Sequence, residues 1–217
     1  LHNNRHSFPT RRSSDLKPHF LPVTPGGRYV RETLLVRLKR ALDLPDLSPL
    51  HRIDRETAGL VVLGVRPQDR DAYQRLFRER LIRKGYEAVG PDAPAWAGPV
   101  IRRSRIAEDP AAFYRMVEAE GEPNSETRID LVERHGPWAR YQLEPLTGKR
   151  HQLRVHMNAL GLPIAGDQFY PVARRGPGEP EDFGAPLRLL ARAIDFTDPV
   201  TGQARRFESG LRLGWPD

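Results

Sequence analysis

Residues 51–63 read His51-Arg52-Ile53-Asp54-Arg55-Glu56-Thr57-Ala58-Gly59-Leu60-Val61-Val62-Leu63. A carboxylate, Asp54, stands among basic and small polar residues just ahead of an aliphatic, β-branched run. Runs of that kind form buried strands, so a strand is expected over Leu60–Val65. Asp54 then sits on a turn at the strand's entrance, fixed by the core, and chemical groups are often carried in this way by loops on a rigid scaffold. Read alone, an Asp between Arg52 and Arg55 is more often a turn former in a weak surface ion pair. The rest of the chain decides between the two readings.

The composition bounds the answer. The chain has 217 residues, 38% of them hydrophobic, enough for one large domain or two small lobes. No apolar run approaches the ~20 residues that a spanning helix needs. Cysteine is absent, which excludes disulfides, thiolate metal sites and a thiol nucleophile and is compatible with the cytoplasm. Lys and Arg total 35 against 28 Asp and Glu, a net charge of +7. Arginine suits phosphate forks and base stacking, so a polyanionic partner fits this balance.

Residues 1–15 are polar, carry no period and lack the apolar core of a signal peptide; they read as a non-native leader, followed by a single domain over 16–217. Pro22, Pro25, Gly26 and Gly27 mark a loop. Leu34, Leu35, Leu38 and Leu42 form one stripe of a helix over Thr33–Leu42. A second helix opens at Pro67, with Tyr73, Leu76, Phe77 and Leu81 as its buried face. A short strand is expected at Lys84–Val89, and a Pro/Ala/Gly-rich loop or flap over 90–110. Thr127–Glu133 and Ala139–Glu144 alternate around His135-Gly136, a hairpin. Lys149–Leu160 reads as a helix capped by Gly161, with Pro163 beyond. Residues 174–186 are a loop. Leu187–Phe196 and Gln203–Glu208 are strands flanking the turn at Asp198–Gly202. Hairpin joins outnumber crossovers, so the fold class is α+β with a mainly antiparallel sheet flanked by helices.

Three segments then carry a resemblance. The decapeptide His51–Leu60 resembles the His-Arg-Leu-Asp-x-x-Thr-Ser-Gly signature of the RluA-type pseudouridine synthases. Lys84-Gly85-Tyr86-Glu87-Ala88-Val89 resembles that family's Lys-x-Tyr-x-Ala-x-Val. Thr147-Gly148-Lys149-Arg150-His151-Gln152-Leu153-Arg154-Val155-His156, with Gly161–Asp167 downstream, resembles its Thr-Gly-Arg-x-His-Gln-Ile-Arg-x-His and Gly-x-Pro-Ile-x-Gly-Asp. Lys17-Pro18 is similar to the Lys-Pro that precedes these, and the strand that leads into it is expected to be missing. Ala58 stands where Ser is usual, and Ala191 where His is usual.

The resemblance implies the pseudouridine synthase catalytic fold with a central RNA-binding cleft, isomerisation of uridines in ribosomal or transfer RNA, no cofactor, no metal and a monomer. Breaking a C–N glycosidic bond and rejoining the base through C5 is redox-neutral and needs a nucleophile or charge stabiliser. It assigns that role to Asp54, since a carboxylate is ionised at neutral pH and can attack or stabilise a cation-like sugar. Arg154 would hold Asp54 with a two-pronged fork and share a helix face with Arg150 and His151. Tyr86 would stack on the uracil and help remove the C5 proton. The uridine must be flipped out of its helix, and Arg52 would fill the gap. His51, Arg55, Thr57, Lys84, Lys149, Arg150 and His151 complete the expected substrate surface, with arginines of 70–83 along the phosphate track. Elsewhere the signals are weak: His151 and His156 are five apart, wrong for a zinc pair, and Gly148-Lys149 lacks a phosphate loop's upstream glycine.

Overall fold

The structure, a computed structural model, describes residues 17–216 apart from Arg28, Arg175, Pro177 and Gly178. The leader expected at 1–15 lies outside the described residues. Seven strands run in the spatial order β10-β9-β4-β8-β7-β5-β6: β4 Arg83–Pro91, β5 Val100–Glu108, β6 Met116–Ala119, β7 Ser125–His135, β8 Trp138–Pro145, β9 Leu189–Thr197 and β10 Ala204–Glu208. All neighbours on this path are antiparallel. Among the described residues the one parallel pairing is β2, Ala58–Gly59, alongside β9. The α+β reading with a mainly antiparallel sheet holds, as do the hairpins β7–β8 and β9–β10.

The expected strand at Leu60–Val65 is extended but changes partner halfway. At Ala58–Gly59 it lies along β9, with Leu60 N–H donating to the Ala191 carbonyl at 3.0 Å. At Leu63–Gly64 (β3) it pairs instead with β1, Ser48–Pro49. Its side chains alternate between two cores. Leu60 packs with Tyr73 and Leu76 of the helix α2, Arg70–Arg78. Val61 packs with Leu34 and Leu38 of the helix α1, Leu34–Leu42. Burying such residues contributes about 1.5–3 kcal/mol each, so the strand behind Asp54 is pinned from both sides. Gly59 allows the crossing: its φ is +109°, and a Cβ there would lie 2.3 Å from the Ala191 oxygen.

Four local expectations change. Leu81 is 58% exposed, because α2 ends at Arg78 and the chain turns before Leu81. Leu42, at the last turn of α1, is likewise exposed. Residues 100–108 are a strand, not part of a flap; its inward side carries Arg102 and Ser104, which are satisfied by Glu118 and His156 rather than by apolar contacts. The third helix, α3, runs only over Gln152–Ala159, because His151 adopts a left-handed conformation with φ 53°. Gly161, φ 75°, follows its end.

Candidate active site

Four pieces of chain meet at the site. The turn 51–57 is clamped from beneath by Lys17, only 1% exposed, whose ammonium donates to the carbonyls of Pro18 (3.2 Å), Arg55 (2.9 Å) and Thr57. Burial pulls that amine down to about 7, against the charges of Glu56 and Asp54. His51 is fixed at the other end of the turn. Its Nε2 accepts the Val62 N–H at 3.0 Å, and its ring stacks on Phe77 at 4.7 Å. Burial, with the Lys84 charge adding to it, lowers His51 to about 4, so it is a neutral scaffold group.

Strand β4 brings Lys84 and Tyr86. Between Gly85 and Tyr86 the pairing with β9 slips by one residue, an irregularity of the kind that re-aims a side chain next to a site. Burial, then the charge of Asp54, raises the Tyr86 phenol. A phenol held protonated suits stacking and hydrogen-bond donation; removing a carbon-bound proton is work for its conjugate base, which this environment disfavours. Lys84 donates to the Thr147 carbonyl at 3.1 Å and ties β4 to the loop before α3.

That loop is held by Gln152, whose amide bonds Thr147 (2.7 Å), the Lys149 N–H (3.0 Å), the Glu126 carbonyl (2.9 Å) and Thr127 (2.9 Å). A buried network with every member satisfied fixes one geometry. From α3 comes Arg154, only 1% exposed. The expected two-pronged fork exists, but on Asp167: Nε and Nη2 each bond it at 2.7 Å. Asp167 also accepts the N–H of Phe169 at 2.8 Å and of Tyr170 at 3.3 Å. The remaining nitrogen of Arg154, Nη1, is buried with no hydrogen bond and lies 3.6 Å from Asp54 and 3.7 Å from Glu56. Burial would lower the arginine, but the charge and hydrogen bonds of Asp167, with Asp54 and Glu56, outweigh this and keep it firmly charged. The rings of Phe169 and Tyr170 flank the guanidinium at 5.1 and 5.4 Å.

All eleven residues singled out from the sequence line one cleft of about 1430 Å³. Asp54 is half-buried in it, its side chain 24% exposed. Arg52 and Lys149 are exposed on its walls. Arg55 is engaged with the buried Glu181 and lies over the Tyr29 ring at 4.8 Å. Thr57 is buried and serves the turn through its carbonyl. His151 bonds the Tyr170 hydroxyl at 3.1 Å, and burial, then Arg154 and Arg150, lower it to about 3. Arg150 does not share a helix face with Arg154. It precedes α3 and donates to the carbonyls of Phe113 and Tyr114. Asp167, Glu56 and Lys17 are the contributors to which the sequence alone attached no role in the site. Asp167 and Lys17 stood inside quoted motifs, and a carboxylate two residues from Asp54 was the available sign of Glu56. Among the described residues no group of three or more His, Cys, Asp or Glu is arranged to hold a metal, and no helix is long and apolar enough to cross a membrane.

A basic cleft in which a buried arginine faces two carboxylates, Asp54 and Glu56, is a distinctive arrangement, and known proteins share its framework. The pattern of the family described as RNA pseudouridylate synthase matches residues 16–159. The chain is 34% identical over 196 residues to the dual-specificity RNA pseudouridine synthase RluA of Salmonella typhi, covering 88% of this chain and 85% of that one. Human RNA pseudouridylate synthase domain containing 4 superposes with a TM-score of 0.69 at 25% identity, over 91% of this chain and 84% of that one. Human RNA pseudouridylate synthase domain containing 1 has a TM-score of 0.71 at 22% identity, over 90% and 78%; at that identity it speaks for the fold alone. Motifs, fold and cleft thus agree, and the chain belongs to the RluA-type RNA pseudouridine synthases.

Proposed function

We propose that the chain isomerises uridines of structured RNA, ribosomal or transfer, to pseudouridine, with Asp54 as the group that acts on the flipped nucleotide. The observation that carries this is the seating of Asp54 in the basic cleft, 3.6 Å from the otherwise unbonded Nη1 of Arg154. The carboxylate is exposed enough to meet a ligand, and a fixed cation aims it without occupying both its oxygens. Tyr86 stacks on the uracil. Arg52, exposed at the cleft wall, fills the space left in the RNA, which offsets part of the few kcal/mol that flipping costs. Lys149 and Lys84 supply positive charge for the phosphates. The reaction leaves oxidation state and composition unchanged and calls for no cofactor. The chain works as a monomer in the cytoplasm, where its RNA is.

Transcripts tritiated at uracil C5 test this, because joining C5 to the ribose releases the label to water. Release by the wild type and none by a folded Asp54→Ala protein is the expected result. Stoichiometric RNA binding without release would instead mark a binding protein on the same fold. Release of free uracil would mark a hydrolase, a reaction that usually employs two carboxylates.

A further inference from the structure

Aromatic rings run outward from the site in an unbroken series. The Arg154 guanidinium lies 5.1 Å from Phe169, Phe169 is 5.4 Å from Tyr114, and Tyr114 meets Phe113 edge-on at 5.7 Å. Tyr114 and Phe169 line the cleft. Phe113, the next ring out, is 73% exposed, more than any other large hydrophobic among the described residues. A single exposed ring needs no explanation. This one ends a series that starts at the catalytic arginine, and a cleft arginine is committed to holding it.

Phe113 sits on the loop 109–115 between β5 and β6, and that loop is braced. Arg150 donates from Nη1 to the Phe113 carbonyl at 3.2 Å and from Nη2 to the Tyr114 carbonyl at 2.6 Å. Asp109 accepts the Ala111 N–H at 2.9 Å, and the Arg115 N–H closes onto Ala112 at 2.7 Å. Arg115 pairs with Asp109 at 3.8 Å and covers the Tyr170 ring at 5.1 Å. The backbone that carries the ring is therefore held beside the cleft-lining Tyr114, with little ordering left to do when a ligand arrives.

We propose that Phe113 is a stacking platform for an unpaired base of the RNA beside the target uridine, and that Arg150 is the positioning residue that fixes it. The inference rests on the reading that the uridine enters at Asp54. Every base has a π-face, so such a platform is indifferent to sequence but requires a nucleotide whose face is uncovered. It selects uridines in loops and single strands over those whose neighbours are paired. The basic cleft supplies the complementary charge, and an unpaired stretch of RNA offers phosphates and free aromatic faces together.

The experiment compares wild type, Phe113→Ala, Phe113→Trp and Arg150→Gln, each verified as folded by circular dichroism. Binding is measured to a fluorescent oligouridine and to an RNA duplex of equal length, and tritium release on a transcript that the wild type modifies. Phe113→Ala is expected to weaken oligouridine binding about 10-fold, within the range of stacking losses, leave duplex binding within about 2-fold, and raise KM with kcat nearly unchanged. Phe113→Trp should restore the wild-type values. Arg150→Gln should move KM in the same direction, with no further loss when combined with Phe113→Ala. Equal effects on single strand and duplex, or no effect on either, would overturn the proposal. A wild type that releases no tritium would overturn the reading of the site instead, and the two failures are distinct.

Discussion

Arg154 gives two of its nitrogens to Asp167 and holds the third 3.6 Å from Asp54. The fork that orients the arginine and the contact that serves the carboxylate are thus separate, made by different atoms to different acids. Asp167→Asn keeps the shape but removes the charge that balances a buried guanidinium. Breaking such a pair typically costs about 3–5 kcal/mol. A clear fall in unfolding free energy by urea titration is expected, with tritium release lowered at least 10-fold. Wild-type activity in this variant would show that the fork is not needed.

Arg154→Lys retains a charge and loses the geometry. A lysine cannot present two donors to Asp167 and a third toward Asp54 and Glu56 from one plane. Activity should fall by roughly two orders of magnitude while RNA binding, carried by other cations of the cleft, changes little. The kcat and KM for one transcript separate the two effects.

Asp54→Asn tests the carboxylate without changing its volume. Turnover should be lost below detection, and the affinity for RNA measured by filter binding should be retained or raised, since one negative charge leaves a basic cleft.

The neutral histidines give the fold an acid limit. His51 and His151 titrate near 4 and 3 in the folded protein and near 6.5 when unfolded. Below 6.5 the unfolded chain takes up protons that the folded one refuses. Their contribution to stability is therefore full above that value and falls by about 1.4 kcal/mol per pH unit for each as the pH drops toward the folded values. Urea unfolding at a series of pH values between about 7 and 4.5 should show this decline. A flat profile would mean that these rings protonate in place.

Gly59→Ala puts a methyl group 2.3 Å from the Ala191 oxygen at a backbone φ of +109°. Both faults act at once, and a loss of about 2–4 kcal/mol is expected, visible as a lowered melting temperature. A thermally unchanged variant would show that the crossing of β2 and β9 can relax.

The three motifs made Asp54, Tyr86 and Arg154 legible because each sits in a short, ordered run of unusual residues. The hairpins were legible from alternation, and the helices α1 and α2 from their leucine and aromatic stripes. What stayed hidden depends on distance in the chain. Nothing local to Arg154 says that its fork goes to Asp167, since only the turn that follows α3 brings them together. The strand over 100–108 escaped notice because two of its inward residues, Arg102 and Ser104, are polar and interrupt the apolar alternation between Val100 and the buried Ile106, and a period of hydrophobicity cannot report positions satisfied by Glu118 and His156. The early start assigned to α3 failed at His151, a residue of ordinary helix propensity that the buried contact with Tyr170 holds in the left-handed region.

The parallel pairing of Ala58–Gly59 with Leu190–Ala191 and the antiparallel pairing of Tyr86 with Ala191 on the neighbouring strand set a schedule for the molecule's birth. A chain emerging from the ribosome carries Asp54 and Tyr86 early, yet both lack their supporting neighbour until residue 191 has been made. Closing so wide a span is slow compared with forming local hairpins. The support of Asp54 and Tyr86 therefore waits on the strand Leu189–Thr197, and a chain cut before that strand bears every motif without the neighbour that sets their positions.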